Sequence, residues 1–227
     1  MAEPLVNRTP GTIVVAAVKQ LRPKQWFKNI FLFPALLFSG QFLEPDPVLK
    51  FAIGFAAFSM LASTGYILND YLDREADRKH PKKRFRPIAS GALPLPGAWA
   101  LFAFTMGSGI ALSLSLSPAF LFIGLVYLTT TLSYSFYFKH KVILDVLFLA
   151  SGFVWRTIAG AIAIQVEVSP WLFLCTAFLA LFFGFNKRRG ELLKVGAHTG
   201  TRRNLDEYSP QMLEQFQAIV TSGTIIT

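Results

Sequence analysis

Charge is scarce in this chain. Only 15% of its 227 residues are Asp, Glu, Lys or Arg, against 53% hydrophobic, and the mean hydropathy is +0.46. That balance excludes an ordinary soluble domain and points to a polytopic membrane protein. Cysteine is almost missing. Cys175 alone rules out an intramolecular disulfide and a Cys-rich metal site, and in its apolar run it reads as a packing residue. The three histidines, His80, His140 and His198, are scattered, and no Ser/His/Asp or Cys/His arrangement is apparent. No nucleic-acid motif is visible either. The net charge of +9 is accounted for by loop cations, which a membrane protein gathers on its cytoplasmic side. The N-terminus lacks a charged region followed by a cleavable apolar one, so no signal peptide is expected.

What is present is a series of long apolar runs in a single membrane domain, 1–227. Thr12 to Leu21 is too short to span and reads as a helix lying in the interface. Trp26 follows at a boundary suited to the aromatic belt. Spans are expected near 27–43, 48–68, 97–116, 119–138, 142–164 and 170–185, with an incomplete seventh over 211–227. The second, Val48 to Leu68, would cover roughly 31 Å at about 1.5 Å per residue. Pro34 implies a kink or break in the first. Polar loops occupy 69–95 and 186–210. The expected fold class is therefore all-α, a transmembrane helix bundle.

All but two of the 22 Lys and Arg lie before or at the very start of the first span, in 69–95, in 139–141 or in 186–210; the exceptions are Lys50 and Arg156. Alternating spans put those four segments on one face. The positive-inside rule makes that face cytoplasmic, in a multi-pass cell-membrane protein with its N-terminus and polar loops inside.

The most informative stretch is Asn69 to Gly91, directly after the second span. Three aspartates come first, then a cluster of cations. If the helix continues past the membrane edge, about 100° per residue places Asn69, Asp70, Asp73 and Asp77 within an arc of roughly 100°. Hard oxygen ligands in that position suit Mg²⁺, which takes one or two carboxylates and completes its shell with water and substrate phosphate. Lys82, Lys83, Arg84 and Arg86 follow, placed to hold the rest of a phosphorylated substrate. The competing reading is a solvated helix end, with Asp73 and Asp77 paired to neighbouring Arg and Lys.

Two further intramembrane charges stand out. Asp145 and Arg156 lie eleven residues apart in the fifth span, on one helix face and about 16 Å apart. An Arg at such depth marks a functional site or, equally, a structural role bonded to backbone carbonyls.

Asn-Asp-x-x-Asp-x-x-x-Asp at 69–77 resembles the first aspartate-rich motif of the UbiA-type intramembrane prenyltransferase superfamily. The extension Arg-Lys-His-Pro-Lys-Lys-Arg-Phe-Arg-Pro-Ile-Ala-Ser-Gly at 78–91 is similar to the decaprenyl-phosphate phosphoribosyltransferase branch. So are Arg-Pro-Lys-Gln-Trp-Phe-Lys-Asn at 22–29, Lys139-His140, Lys187-Arg188 with Glu191-Leu192, and the acidic Asp145. The second aspartate-rich motif of prenyl-diphosphate-using members has no counterpart in 186–210, which is basic until Asp206-Glu207. One carboxylate set and extra cations fit a substrate pair richer in phosphate.

The resemblance implies a UbiA-type bundle, with nine helices expected in the family and about seven in this chain. It implies a Mg²⁺-dependent enzyme that moves 5-phosphoribosyl from phosphoribosyl diphosphate to polyprenyl phosphate, for lipid-linked pentose in cell-envelope synthesis. Asn69, Asp73 and Asp77 would hold the metal and diphosphate, with Asp70 close by. Lys82, Lys83, Arg84 and Arg86 would contact donor phosphates. Tyr134, Lys139, Lys187 and Arg188, with Asp145 and Arg156 on span five, would complete a cytoplasmic cavity. Arg22, Lys24 and Lys28 would position the lipid phosphate. The partners are then these two substrates and the bilayer, without nucleic acid; a homo-oligomer is compatible with the sequence but not specified by it. Two alternatives remain: a prenyl diphosphate to aromatic acceptor transferase, disfavoured by the missing second motif, and a transporter. A transport path needs polar groups through the whole depth, whereas here polarity gathers at one end of the spans.

Overall fold

The computed structural model describes residues 9–195 and 208–227. Those residues form ten α-helices joined by short 3₁₀ turns, with no strand among them. They are α1 Pro10–Leu21, α2 Pro23–Trp26, α3 Phe33–Phe38, α4 Pro45–Leu72, α5 Arg74–Lys79, α6 Leu95–Leu116, α7 Pro118–Phe136, α8 Leu144–Ala163, α9 Pro170–Val195 and α10 Pro210–Ile226. The all-α class expected from composition is what is seen. Five of the helices, α4, α6, α7, α8 and α9, are long and apolar enough to cross a bilayer.

Proline sets many of the starts. α1, α2, α4, α7, α9 and α10 each open on one, where the missing N–H would have had no partner anyway. Thr9 and Ser209 cap α1 and α10 by accepting the N–H of Thr12 and Met212.

The helices fall into two compact units. The first takes its described residues from Met1–Ile30 and Ala52–Leu121, the second from Phe31–Phe51 and Phe122–Thr227. In the first, Ala16 of α1, Ile67 of α4 and Ala98 of α6 close over Ile88 and Leu93 of the intervening loop. Thr64 Oγ1 meets Thr105 Oγ1 at 2.9 Å, and a Cβ at Gly109 would lie 2.9 Å from Leu61 Cδ2, so α4 and α6 touch closely. Residues 21–29 are tied to α4 by Ser63 Oγ donating to Leu21 O, Trp26 Nε1 donating to Ser63 Oγ, and Asn29 donating to Ser59.

In the second unit α9 packs along both α8 and α10. Val146, Phe185, Leu213 and Val220 fill the seam, with Phe185 and Phe216 stacked at 4.9 Å. α3 crosses α8 so closely that a Cβ on Gly160 would lie 2.2 Å from Leu32 O.

Three boundaries differ from the sequence reading. The run 27–43 is not one helix: a 3₁₀ segment Phe27–Leu32 precedes α3, and a second, Gln41–Leu43, follows Gly40 at φ 76°. Pro34 cannot donate to a preceding turn, so the α-helix restarts around it. α4 runs on past Leu68 to Leu72. α9 runs on through Asn186-Lys187-Arg188-Arg189, expected as loop, because Arg188 pairs with Glu191 one turn later and nothing in 186–195 breaks a helix. The remainder of that loop, with His198, Asp206 and Glu207, lies outside the described residues.

Candidate functional site

The first unit builds a cluster around Asp70. α4 carries Asn69 and Asp70 on its last turn, and the helix breaks at Asp73 (φ −83°, ψ 1°) before α5 carries Asp77. The continuous helix behind the predicted arc is therefore interrupted. Asn69 and Asp73 still meet across one turn, Nδ2 to Oδ2 at 3.3 Å, while Asp77 turns toward Arg86.

Asp70 is 1% exposed and gathers three partners. Arg22 Nη2 lies 2.7 Å from both carboxylate oxygens, Gln20 Nε2 donates to Oδ2 at 2.9 Å, and Arg86 Nη1 donates to Oδ1 at 2.9 Å. The same Arg86 nitrogen donates to Asp77 Oδ2 at 2.7 Å. Two buried carboxylates thus converge on one guanidinium nitrogen. Lys83 Nζ stands 4.0 Å from Asp77 Oδ1.

The backbone is bent to achieve this. Arg22 closes α1 in the left-handed region (φ 56°, ψ 58°), just before Pro23, which disfavours the right-handed helix for the residue ahead of it. A non-glycine residue there costs roughly 1–3 kcal/mol. The charge-assisted contact of Nη2 with both Asp70 oxygens and the guanidinium lying over Tyr66 at 4.9 Å offset that cost. Further on, His80 Nδ1 accepts the N–H groups of Lys82 and Lys83, shaping the turn that leads to Arg86. Lys82, Lys83 and Arg84 are exposed, Arg84 lying over Phe85. Lys24 and Lys28 are exposed as well.

The second unit holds a different arrangement. Asp145 of α8 and Arg188 of α9 are fully buried and 2.6 Å apart, Oδ2 to Nε. The Nε–H is not aimed at the carboxylate, so this is a charge contact rather than an aligned hydrogen bond. Arg188 Nη1 donates to Glu191 and Nη2 to Tyr134 Oη at 3.3 Å. Tyr208 donates to Asp145 Oδ1 at 2.5 Å while its hydroxyl accepts Ile143 N–H at 2.7 Å. Burial first, then the bond to Asp145, raises the Tyr208 phenol above its ordinary pKa, so it remains a donor at neutral pH. Arg156 donates to Gly152 O at 2.6 Å and Tyr127 Oη at 2.9 Å, its guanidinium over the Tyr127 ring. Lys139 sits in the 3₁₀ turn Phe138–His140, and Lys187 is exposed on α9.

A family model, the UbiA prenyltransferase family, matches residues 30–199. The chain belongs to the UbiA prenyltransferase family. The decaprenyl-phosphate phosphoribosyltransferase of Corynebacterium glutamicum is 35% identical to this UbiA-family chain over 229 aligned positions, covering 97% of the chain and 68% of the relative. That of Mycobacterium tuberculosis is 36% identical over 232 positions, covering 100% and 76%. A UbiA homolog from Archaeoglobus fulgidus, solved with DMAPP and Mg²⁺, superposes with a TM-score of 0.72 at 20% identity, covering 92% of this chain and 75% of that one; it supports the fold. With its five apolar helices, the chain is a multi-pass membrane protein.

Among the described residues, no group of three or more His, Cys, Asp or Glu converges as a metal cage. Magnesium does not ask for one; one or two carboxylates with water and substrate phosphate suffice. Asn69 and Asp73 meet one turn apart, and the buried Asp77 adds a second carboxylate that Arg86 holds here, so hard oxygen donors gather at this UbiA-family site. The donor set fits a dication.

Gln20 was not foreseen. Its signal was there: with Ile13, Ala16 and Ala17 it shares one helix face, and a fully buried polar residue on that stripe needs a partner.

Proposed function

We propose that this chain is a transferase that moves the 5-phosphoribosyl group from phosphoribosyl diphosphate to polyprenyl phosphate. The bond from ribose C1 to the diphosphate oxygen breaks, its electron pair leaving with diphosphate. An oxygen of the lipid phosphate supplies the pair for the new bond to C1. The observation that carries this reading is the Asp70–Arg22–Arg86–Asp77 cluster. Cations and carboxylates are interleaved there, so phosphates and a dication can share one place. The relatives named for this activity, aligned over nearly the whole chain, support it.

Asn69, Asp73 and Asp77 would hold Mg²⁺, with Asp70 beside them as the counter-ion of Arg22 and Arg86. A bound Mg²⁺ supplies Lewis-acid neutralisation of the departing diphosphate. Lys82, Lys83, Arg84 and Arg86 contact the donor's phosphates, and Arg22, Lys24 and Lys28 serve the lipid phosphate. The acceptor is already an anion and needs no general base. In the second unit, Lys139 and Lys187 remain candidates for phosphate contact. Asp145, Arg156, Arg188 and Tyr134 are engaged by protein groups and brace the helices. The site opens to the cytoplasmic side of the cell membrane.

The test is direct. Membranes carrying the protein are incubated with labelled phosphoribosyl diphosphate and polyprenyl phosphate. A labelled lipid, lost on chelation of divalent metal, is expected. Alkylation of an aromatic acid by a prenyl diphosphate, with phosphoribosyl diphosphate ignored, would overturn the reading.

A further inference from the structure

α1 has two apolar faces, and among the described residues only one is packed. Ala16 is 6% exposed and packs with Ile67 and Ala98, while Val14, Val15 and Val18 stand 62%, 68% and 52% exposed. Those three valines wall a groove of about 930 Å³, opposite Phe85 of the basic loop. The groove also carries Lys19, Arg22, Lys24, Lys82 and Arg86, and among the described residues Asp70 is its single carboxylate. The buried Gln20, whose Oε1 has no hydrogen-bond partner among the described residues, also lines it.

An apolar wall beside an excess of cations is complementary to an amphiphile with a compact anionic head. Arg86 and Asp70 belong both to this groove and to the acidic cluster, so one surface joins them. We propose that the groove along α1 binds the lipid acceptor: the phosphate among Lys19, Arg22 and Lys24, and the adjoining isoprene units along Val14, Val15 and Val18. This rests on the polyprenyl phosphate reading above and assigns the acceptor a place in the first unit. Branched isoprene methyls suit a wall of β-branched valines. The head is delivered beside the carboxylates that handle the donor, which brings nucleophile and leaving group together.

The experiment uses the full chain in lipid nanodiscs and a polyprenyl phosphate with a diazirine on the isoprene unit next to the phosphate. After irradiation, the labelled residues are mapped by peptide mass spectrometry. Label is expected on Val14–Val18 and Phe85. Unlabelled polyprenyl phosphate should compete at least tenfold better than polyprenol or an anionic diacyl phospholipid. Val14→Asp and Val18→Asp should each cut the labelling about tenfold and raise the KM for the lipid acceptor, leaving the KM for phosphoribosyl diphosphate unchanged. If either variant fails to fold, the wild-type label map decides. Label elsewhere, or label on α1 removed equally by bulk phospholipid, overturns the proposal, since α1 would then merely touch the bilayer. Saturable labelling without phosphoribosyl transfer would sink the proposed reaction and leave the groove standing. Transfer without α1 labelling would do the reverse.

Discussion

If the proposed reaction holds, single side chains should separate the donor's two charged ends. Asp73→Asn and Asp77→Asn each remove a charged oxygen from the proposed Mg²⁺ ligand set, and turnover in the labelled-lipid assay should be lost in both. Near wild-type turnover would return the stretch to a solvated helix end. Arg84 and Arg86, alike in sequence, are not alike in place. Arg84 is exposed over Phe85, so Arg84→Ala should raise the KM for phosphoribosyl diphosphate roughly ten- to hundredfold, the worth of about 1.5–3 kcal/mol from one charged hydrogen bond, with little change in stability. Arg86→Ala also strips Asp70 and Asp77 of a shared partner, so its KM effect should come with a lower melting temperature. The carboxylates and cations were legible in sequence because their types and spacing declare themselves. Their pairing was not, because it depends on the chain turning at Asp73 and on Arg22 adopting a left-handed backbone 48 positions before Asp70.

Helices make their own demands. Gly160 lies against the backbone of Leu32 with no space for a methyl group, so Gly160→Ala must push α3 and α8 apart. Overpacking of that kind costs about 1–3 kcal/mol and should appear as a lower melting temperature in detergent. Tyr208 moors the start of α10 to α8 through two hydrogen bonds. Tyr208→Phe leaves a buried acceptor and a backbone N–H behind, a loss of roughly 1–3 kcal/mol. Because the folded chain raises this phenol's pKa, it holds the proton longer than the unfolded chain does. The contribution should be complete below pH about 10 and fade above it. Thermal scans of wild type and Tyr208→Phe from pH 7 to 11 should show a constant gap up to pH about 10 that begins to narrow above it. Apolar runs and prolines announced where the long helices lie, since both act locally. The continuation of α9 through Asn186-Lys187-Arg188-Arg189 did not show, because a run of charges reads as loop until the carboxylate of Asp145 on another helix is known to take up one of them.

At the scale of the whole molecule, the distribution of Lys and Arg predicts orientation. In a chain with Cys175 replaced, a cysteine at Lys83 or Arg189 should react with an impermeant reagent only from the cytoplasmic side, and one at Asp46 only from outside. Reaction of all three from one side would refute the alternating layout. The family was legible from one short stretch, and its matched region extends over most of the chain. Less visible was that α1 does more than rest in the interface. Its buried stripe ends in Gln20 and Arg22, and both are fastened to Asp70.

That fastening has a consequence for inheritance. Asp70 is the one anion holding Arg22, Gln20 and Arg86 together, so none of the four can drift independently. Asp70→Asn alone would strip Arg22 of its carboxylate and leave Arg86 to Asp77. Removing one partner of a fully buried pair costs roughly 3–5 kcal/mol; with Arg22 and Arg86 about a quarter exposed, solvent should reduce that to about 2 kcal/mol. Lineages that lose the carboxylate at this position are therefore expected to lose or neutralise Arg22 in the same step. Viable double changes should be recoverable by selecting suppressors of Asp70→Asn, and they should fall at positions 20, 22 and 86.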